Sequence, residues 1–220
     1  SLRSVAIAAG SPTQMVRTVP NGVDTDRFRP VDPGAARRDL GLDPGAPVLI
    51  SVGTLVERKG FHRVLSILPR LRRRFPGLVY LVVGGGGPEG DWSERLNEQA
   101  RELGVAEAVR FLGPKTPDEL RIPLSAADVF VLATRNEGWA NVFLEAMACG
   151  LPVVTTDVGG NREVVGHAGL GEVVPFGDEE ALADAVARAL SADWDRDALI
   201  AHARAQAWDQ RIPQLVAELR

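Results

Sequence analysis

The chain has 220 residues, 45% hydrophobic and 25% charged, with a formal net charge of -4. That length suits one well-buried domain, and those proportions exclude a disordered, collagenous or disulfide-scaffold chain. The negative balance gives no long-range attraction to a polyanion, and the lone Cys149 has no partner for an internal disulfide, so nucleic-acid binding is set aside and a cytoplasmic setting is expected.

A first strand is expected over Val16 to Val19, followed by a surface excursion from Arg29 to Pro47, rich in Pro, Asp and Gly, with a short helix around Ala35 to Leu40. Four continuous apolar runs then punctuate the chain: Val48 to Val52, Leu78 to Val83, Val129 to Ala133 and Pro152 to Thr155. Unbroken runs of Val, Leu and Ile are what strands covered on both faces require. Phe61 to Phe75 carries Phe61, Leu65, Leu68 and Leu71 on one stripe, and Asp91 to Leu103 is a more polar helix. Helices at Pro117 to Ala126, Asn141 to Cys149, Glu179 to Leu190 and Asp195 to Ala207, with shorter strands at Val109 to Leu112 and near Glu172 to Val174, complete an alternation of strand and helix. The fold class is α/β, a doubly wound, Rossmann-like parallel sheet in a single domain. Arg70, Arg72, Arg73 and Arg74 cluster at a helix end, and a solvated C-terminus favouring cations is preferred there over contact with anionic lipid.

In an open parallel sheet, ligands bind beyond the carboxyl ends of the strands, where loop amides and helix N-termini converge. The loop after Val52 holds Gly53, Thr54, Arg58 and Lys59, and the loop after Val83 holds Gly84 and Gly85 within a glycine run. The loop after Ala133 holds Glu137, Gly138, Trp139, Ala140 and Asn141, and leads into a helix carrying Val142 and Glu145. Amides and the Lys59 cation suit phosphate, whereas two carboxylates suit sugar hydroxyls. Because side chains tilt back towards a helix N-terminus, Glu145 and Glu137 can face one ligand. A nucleoside diphosphate sugar presents the matching order of diol, diphosphate and hexose.

The stretch from Glu137 through Asn141-Val142-Phe143-Leu144-Glu145 to Gly150-Leu151-Pro152-Val153-Val154 resembles the signature of retaining glycosyltransferases of the two-Rossmann-domain (GT-B) type, glycosyltransferase family 4 or group 1. The resemblance continues through Thr156-Asp157-Val158-Gly159-Gly160-Asn161-Arg162-Glu163, and upstream through Pro20-Asn21-Gly22-Val23-Asp24, the Val52 to Gly60 loop and Phe111-Leu112-Gly113. It covers nearly the whole chain in the order of that family's C-terminal domain. It implies that residues 1–24 are an inter-domain region with the first strand, and 195–220 the C-terminal helices. It implies further that Lys59 holds the donor diphosphate, Glu145 the ribose, Glu137 the transferred hexose, the Gly138 to Val142 amides the diphosphate or sugar, and Leu112 to Lys115 the base. The donor is then a UDP-, GDP- or ADP-sugar. The resemblance also implies that the leaving phosphate assists deprotonation of the acceptor, with no protein nucleophile required; no catalytic metal and no cofactor are expected.

Many members of that family carry Arg where this chain has Thr54, and Arg58 is the candidate to compensate. The acceptor-binding N-terminal half is absent from the sequence in hand, so little or no transfer is expected of these 220 residues alone. A lipid-linked acceptor implies peripheral contact with the inner face of the membrane. The alternatives are a sugar-nucleotide epimerase of the same fold and a non-catalytic nucleotide-binding or interaction module.

The run Gly85-Gly86-Gly87-Pro88-Glu89-Gly90 lacks the acidic residue that a dinucleotide fingerprint needs about twenty positions on. Asp24-Thr25-Asp26 and Asp195-Arg196-Asp197 are read as a turn and a helix cap rather than metal ligands. His62, His167 and His202 are read as structural or surface residues, Cys149 as a small core residue, and Trp139 as either a sugar platform or a core plug.

Overall fold

In a computed structural model of the chain, the described residues are 6–16 and 20–218. Six strands form one parallel sheet: β1 (Val48–Val52), β2 (Val79–Val83), β3 (Val109–Gly113), β4 (Val129–Leu132), β5 (Val153–Thr156) and β6 (Gly171–Val174). Their spatial order is β3-β2-β1-β4-β5-β6, so the winding reverses between β1 and β4. β1 pairs with β2 from Val48 opposite Val79 to Val52 opposite Val83, and with β4 at Leu49 and Ile50. The expected strand over Val16 to Val19 lies outside the described residues apart from Val16.

The helices are α1 (Pro33–Asp39), α2 (Phe61–Arg74), α3 (Ser93–Glu102), α4 (Pro117–Ala126), α5 (Asn141–Ala148), α6 (Asn161–Val165), α7 (Glu179–Ser191), α8 (Arg196–Ala205) and α9 (Trp208–Glu218). Every residue of β4 and β5 is buried, as are Val48 to Ser51 of β1. Side chains alternate between the two faces of a strand, so burial of successive residues means that helices cover both faces. α2 contacts α7 and α3, α1 contacts α4, and α5 contacts α8 and α6. The helix expected over Asp195 to Ala207 is α8, and α9 follows the turn at Gln206–Ala207, so the C-terminal segment holds helices as expected.

Local chemistry sets these boundaries. Thr116 accepts the Glu119 amide while the Glu119 carboxylate takes the Thr116 amide, and Pro117 follows at the first helical position, so α4 begins with a reciprocal cap. Asp195 caps α8 through the Ala198 amide, and the Asp24 carboxylate accepts the amides of Asp26 and Arg27, so both aspartate motifs are backbone caps. The excursion before β1 is pinned by Arg37, whose guanidinium forks onto Asp128 at 2.8 and 2.9 Å and donates to the Pro44, Ala46 and Ala126 carbonyls. Arg70 pairs with Asp184 at 2.6 Å and Arg72 with Glu107, so that helix end is a mixed-charge surface. Among the described residues no helix is long and apolar enough to cross a membrane.

Candidate functional site

Where the winding reverses, the loops leaving β1 and β4 separate over a cavity of about 320 Å³. Its lining comes from Val52, Gly53, Thr54 and Lys59 on one side, and Glu137, Trp139, Ala140, Asn141, Val142 and Glu145 on the other. Such a reversal opens a crevice at the carboxyl ends of the strands because the flanking connections run to opposite faces.

Close backbone approach holds the two loops in place. Gly60 has φ +77°, and a Cβ there would overlap the Ala133 carbonyl. Gly159 has φ +54°, and a Cβ there would overlap the Glu137 carbonyl. Only glycine combines that backbone conformation with that proximity. Arg58 O accepts the Arg135 amide at 2.7 Å and the Thr134 hydroxyl at 3.0 Å, which ties the β1 loop to the β4 loop. Glu57 then pairs with Arg63 at 2.8 Å and with Arg135 at 3.0 Å.

Lys59 Nζ donates to Glu137 Oε2 at 2.6 Å, and their side chains are 15% and 12% exposed. Lys59 is therefore no solvated surface lysine. Glu145 projects from the second turn of α5 into the same cavity, and its carboxylate makes no hydrogen bond or ion pair among the described residues. Burial raises its pKa to about 7. The helix N-terminus itself is uncapped by any side chain: Ala140 occupies the cap, and the Val142 amide has no partner among the described residues. Asn21 Nδ2 reaches across to Asn141 Oδ1 at 2.9 Å, docking the Asn-Gly-Val segment at the start of α5.

Other expected residues lie off this lining. Arg58 forks onto Glu89, with Nε–Oε2 and Nη2–Oε1 both 2.7 Å. Gly84 N–H donates to the Gly113 carbonyl, and the Gly85 carbonyl accepts the Leu55 amide, so both commit backbone groups to the fold. Gly138 turns its carbonyl towards Gly160. Leu112 lies in β3 and Lys115 just after it, two strands away from β1. Trp139 packs against the core and also lines the cavity. Cys149 is buried, as expected of a small core residue. His62 lies tilted against Trp92 with ring centroids 5.2 Å apart, and His167 meets His202 edge-on at 6.2 Å.

Sequence reasoning missed Glu57, Arg63, Arg135 and Glu89, whose roles are to pair one loop with another or, for Arg63, a loop with α2. Charge in a glycine-rich or strand-end loop was the available signal, but it names no partner.

Residues 34–206 match the family described as glycosyl transferases group 1. This chain belongs to that family. Over 211 residues it is 39% identical to the D-inositol 3-phosphate glycosyltransferase of Corynebacterium urealyticum, an alignment covering 91% of this chain and 50% of that protein. Over 209 residues it is 39% identical to the GDP-mannose-dependent alpha-(1-6)-phosphatidylinositol monomannoside mannosyltransferase of Mycobacterium tuberculosis, covering 90% and 52% respectively. The group 1 chain thus spans about half the length of the curated relatives it matches. Among solved structures, Anabaena HepE in complex with UDP-glucose superposes with a TM-score of 0.82 at 26% identity, over 99% of this chain and 60% of that one. The fold of this group 1 chain is that of GT-B glycosyltransferase C-terminal domains.

Proposed function

We propose that the cavity binds a nucleoside diphosphate hexose for transfer with retention at the anomeric carbon. The observation that carries this reading is the convergence of Lys59, Glu137, Glu145 and the open N-terminus of α5 on one cavity. Lys59 and the Val142 amide take the diphosphate, because a cation and an orphan N–H donor both favour phosphate oxygens. Glu145, unpartnered, accepts from the ribose diol, and Glu137 orients the hexose. The GDP-mannose dependence of the mycobacterial relative and the UDP-glucose bound to Anabaena HepE support this donor class.

Glu137 is held by Lys59 and acts as an orienting group rather than a nucleophile. In the transfer step the bond from the anomeric carbon to the leaving phosphate breaks, the acceptor oxygen bonds to that carbon, and the acceptor proton passes to the leaving phosphate. No metal takes part. The acceptor is held by a further domain of the whole protein, at the cytoplasmic membrane face where it is lipid-linked, and the 220 residues alone transfer little or no sugar.

Calorimetric titration with UDP, GDP and ADP tests the reading. At least one should bind, and Lys59→Ala should weaken it by roughly tenfold or more, the scale of a lost charge-assisted hydrogen bond. Absence of binding by all three, or unchanged affinity in both Lys59→Ala and Glu145→Ala, overturns it.

A further inference from the structure

Two consecutive cations follow β1, Lys59 on the cavity lining and Arg58 beside it just off that lining, and each is met by a carboxylate from a different loop. Lys59 is met by Glu137 of the β4 loop at 2.6 Å, and Arg58 by Glu89 of the glycine loop through Nε and Nη2. Thr54, on the cavity wall between these two loops, brings no charge, and its methyl group lies against Gly87. Arg58 and Lys59 together thus carry two positive charges that Glu89 and Glu137 cancel. The four groups feel one another across the pairs. Glu137 helps raise the Arg58 pKa after the larger effect of Glu89, and Lys59 helps lower that of Glu89 after the larger effect of Arg58.

The backbone of Arg58 is fixed, since its carbonyl holds both Thr134 and the Arg135 amide. Its side chain is not fixed in the same way. The Arg58–Glu89 pair is 30% and 52% exposed, and an ion pair so open to solvent adds little net stability, so the guanidinium exchanges partners at small cost. A diphosphate offers that guanidinium the same bidentate oxygen geometry as a carboxylate, with more negative charge.

We infer that Glu89 is a placeholder counter-ion that sets the affinity of this cavity for diphosphate, by competing with the ligand for Arg58. The inference rests on the donor-site reading above. Arg58 serves as the second phosphate cation only when it leaves Glu89.

The test is a calorimetric titration of UDP, GDP, ADP, inorganic pyrophosphate and the bare nucleosides into the wild-type chain, Glu89→Gln, Glu89→Asp, Arg58→Ala and Arg58→Ala/Glu89→Gln, at two salt concentrations. Glu89→Gln should bind the preferred diphosphate about three- to tenfold tighter, as expected for freeing one guanidinium to make a charge-assisted contact with a phosphate, and its affinity should fall more steeply with salt. Nucleoside binding should not change. Glu89→Asp should return most of the wild-type affinity, and Glu89→Gln should have no effect once Arg58 is Ala. A loop disturbed for structural reasons would weaken every ligand alike, which overturns the inference, as does a Glu89→Gln gain that persists without Arg58. Wild-type binding with unchanged affinity in Glu89→Gln removes this inference and leaves the donor site standing. Absence of diphosphate binding in every variant removes both.

Discussion

The two ends of the sheet carry cavities of opposite character. Beyond the carboxyl ends of β1 and β4 lies the cavity of about 320 Å³, and Glu145 on its wall has no hydrogen-bond or ion-pair partner among the described residues. At the other end, where β1, β2 and β3 begin, a larger one of about 550 Å³ is lined by Asp43, Pro47, Arg74, Phe75, Val79 and Arg110 among others. Its polar groups are committed to the fold. Arg110 donates to the Leu40 carbonyl at 2.6 Å and to that of Gly41, Arg74 donates to Ser191 and lies over the Phe75 ring, and Asp43 accepts the Gly45 amide. Volume alone therefore does not mark a site. Uncommitted polar groups do, because leaving them buried without a partner costs free energy that a ligand recovers.

The sharpest way to break this contrast is through the glycines. Gly159→Ala should destabilise the chain by about 3 kcal/mol or more, since the new Cβ meets the Glu137 carbonyl at a left-handed backbone position. Gly77→Ala, which lines the larger cavity and faces open space, should change stability by less than about 0.5 kcal/mol. Urea unfolding of both variants measures the difference. Equal effects would mean that the Glu137 loop is no more constrained than the far end.

A somewhat smaller effect is expected from Glu145. Its folded pKa of about 7 lies above its ordinary value of 4.5, so the folded state holds this proton more tightly than the unfolded one. The resulting stability is fully present below pH about 4.5 and is lost as pH rises through about 7. The loss amounts to up to about 3 kcal/mol. Glu145→Gln should flatten that part of the stability profile and be the more stable protein at pH 8, as followed by thermal or urea unfolding across pH 4 to 8. A wild-type profile identical to that of Glu145→Gln would show that this carboxylate is not held in a desolvated position.

The smallest effect concerns the larger cavity. Arg110→Ala should cost about 1 to 2 kcal/mol, the scale of charged hydrogen bonds to carbonyls, while leaving nucleotide affinity unchanged. A parallel loss of nucleotide affinity would show that the two ends are coupled.

Much of this molecule was legible in its apolar periodicity. β1 and α4 occupy the residues expected, and β2, β4 and β5 begin or end within one residue of expectation. Continuous Val, Leu and Ile runs imply strands buried on both faces, and reciprocal caps are written locally as Thr-Pro-Asp-Glu. α6 went unforeseen: it is a helix of five residues entered through Gly160, with neither a side-chain cap nor an apolar stripe long enough to register. At the candidate site, Lys59, Glu137 and Glu145 could be named because glycine-rich strand ends and helix starts have a local signature.

The sequence by itself therefore determined the α/β class, most element positions and the residue types at the carboxyl ends of the strands, since these depend on neighbours along the chain. Only the tertiary structure decided that Lys59 meets Glu137 while Arg58 meets Glu89, that Glu145 stands unpartnered, and that Leu112 and Lys115 lie two strands away. Those outcomes depend on which loops the strand order brings together, and Coulombic and hydrogen-bond partners are chosen by distance in space, which spacing in sequence does not specify.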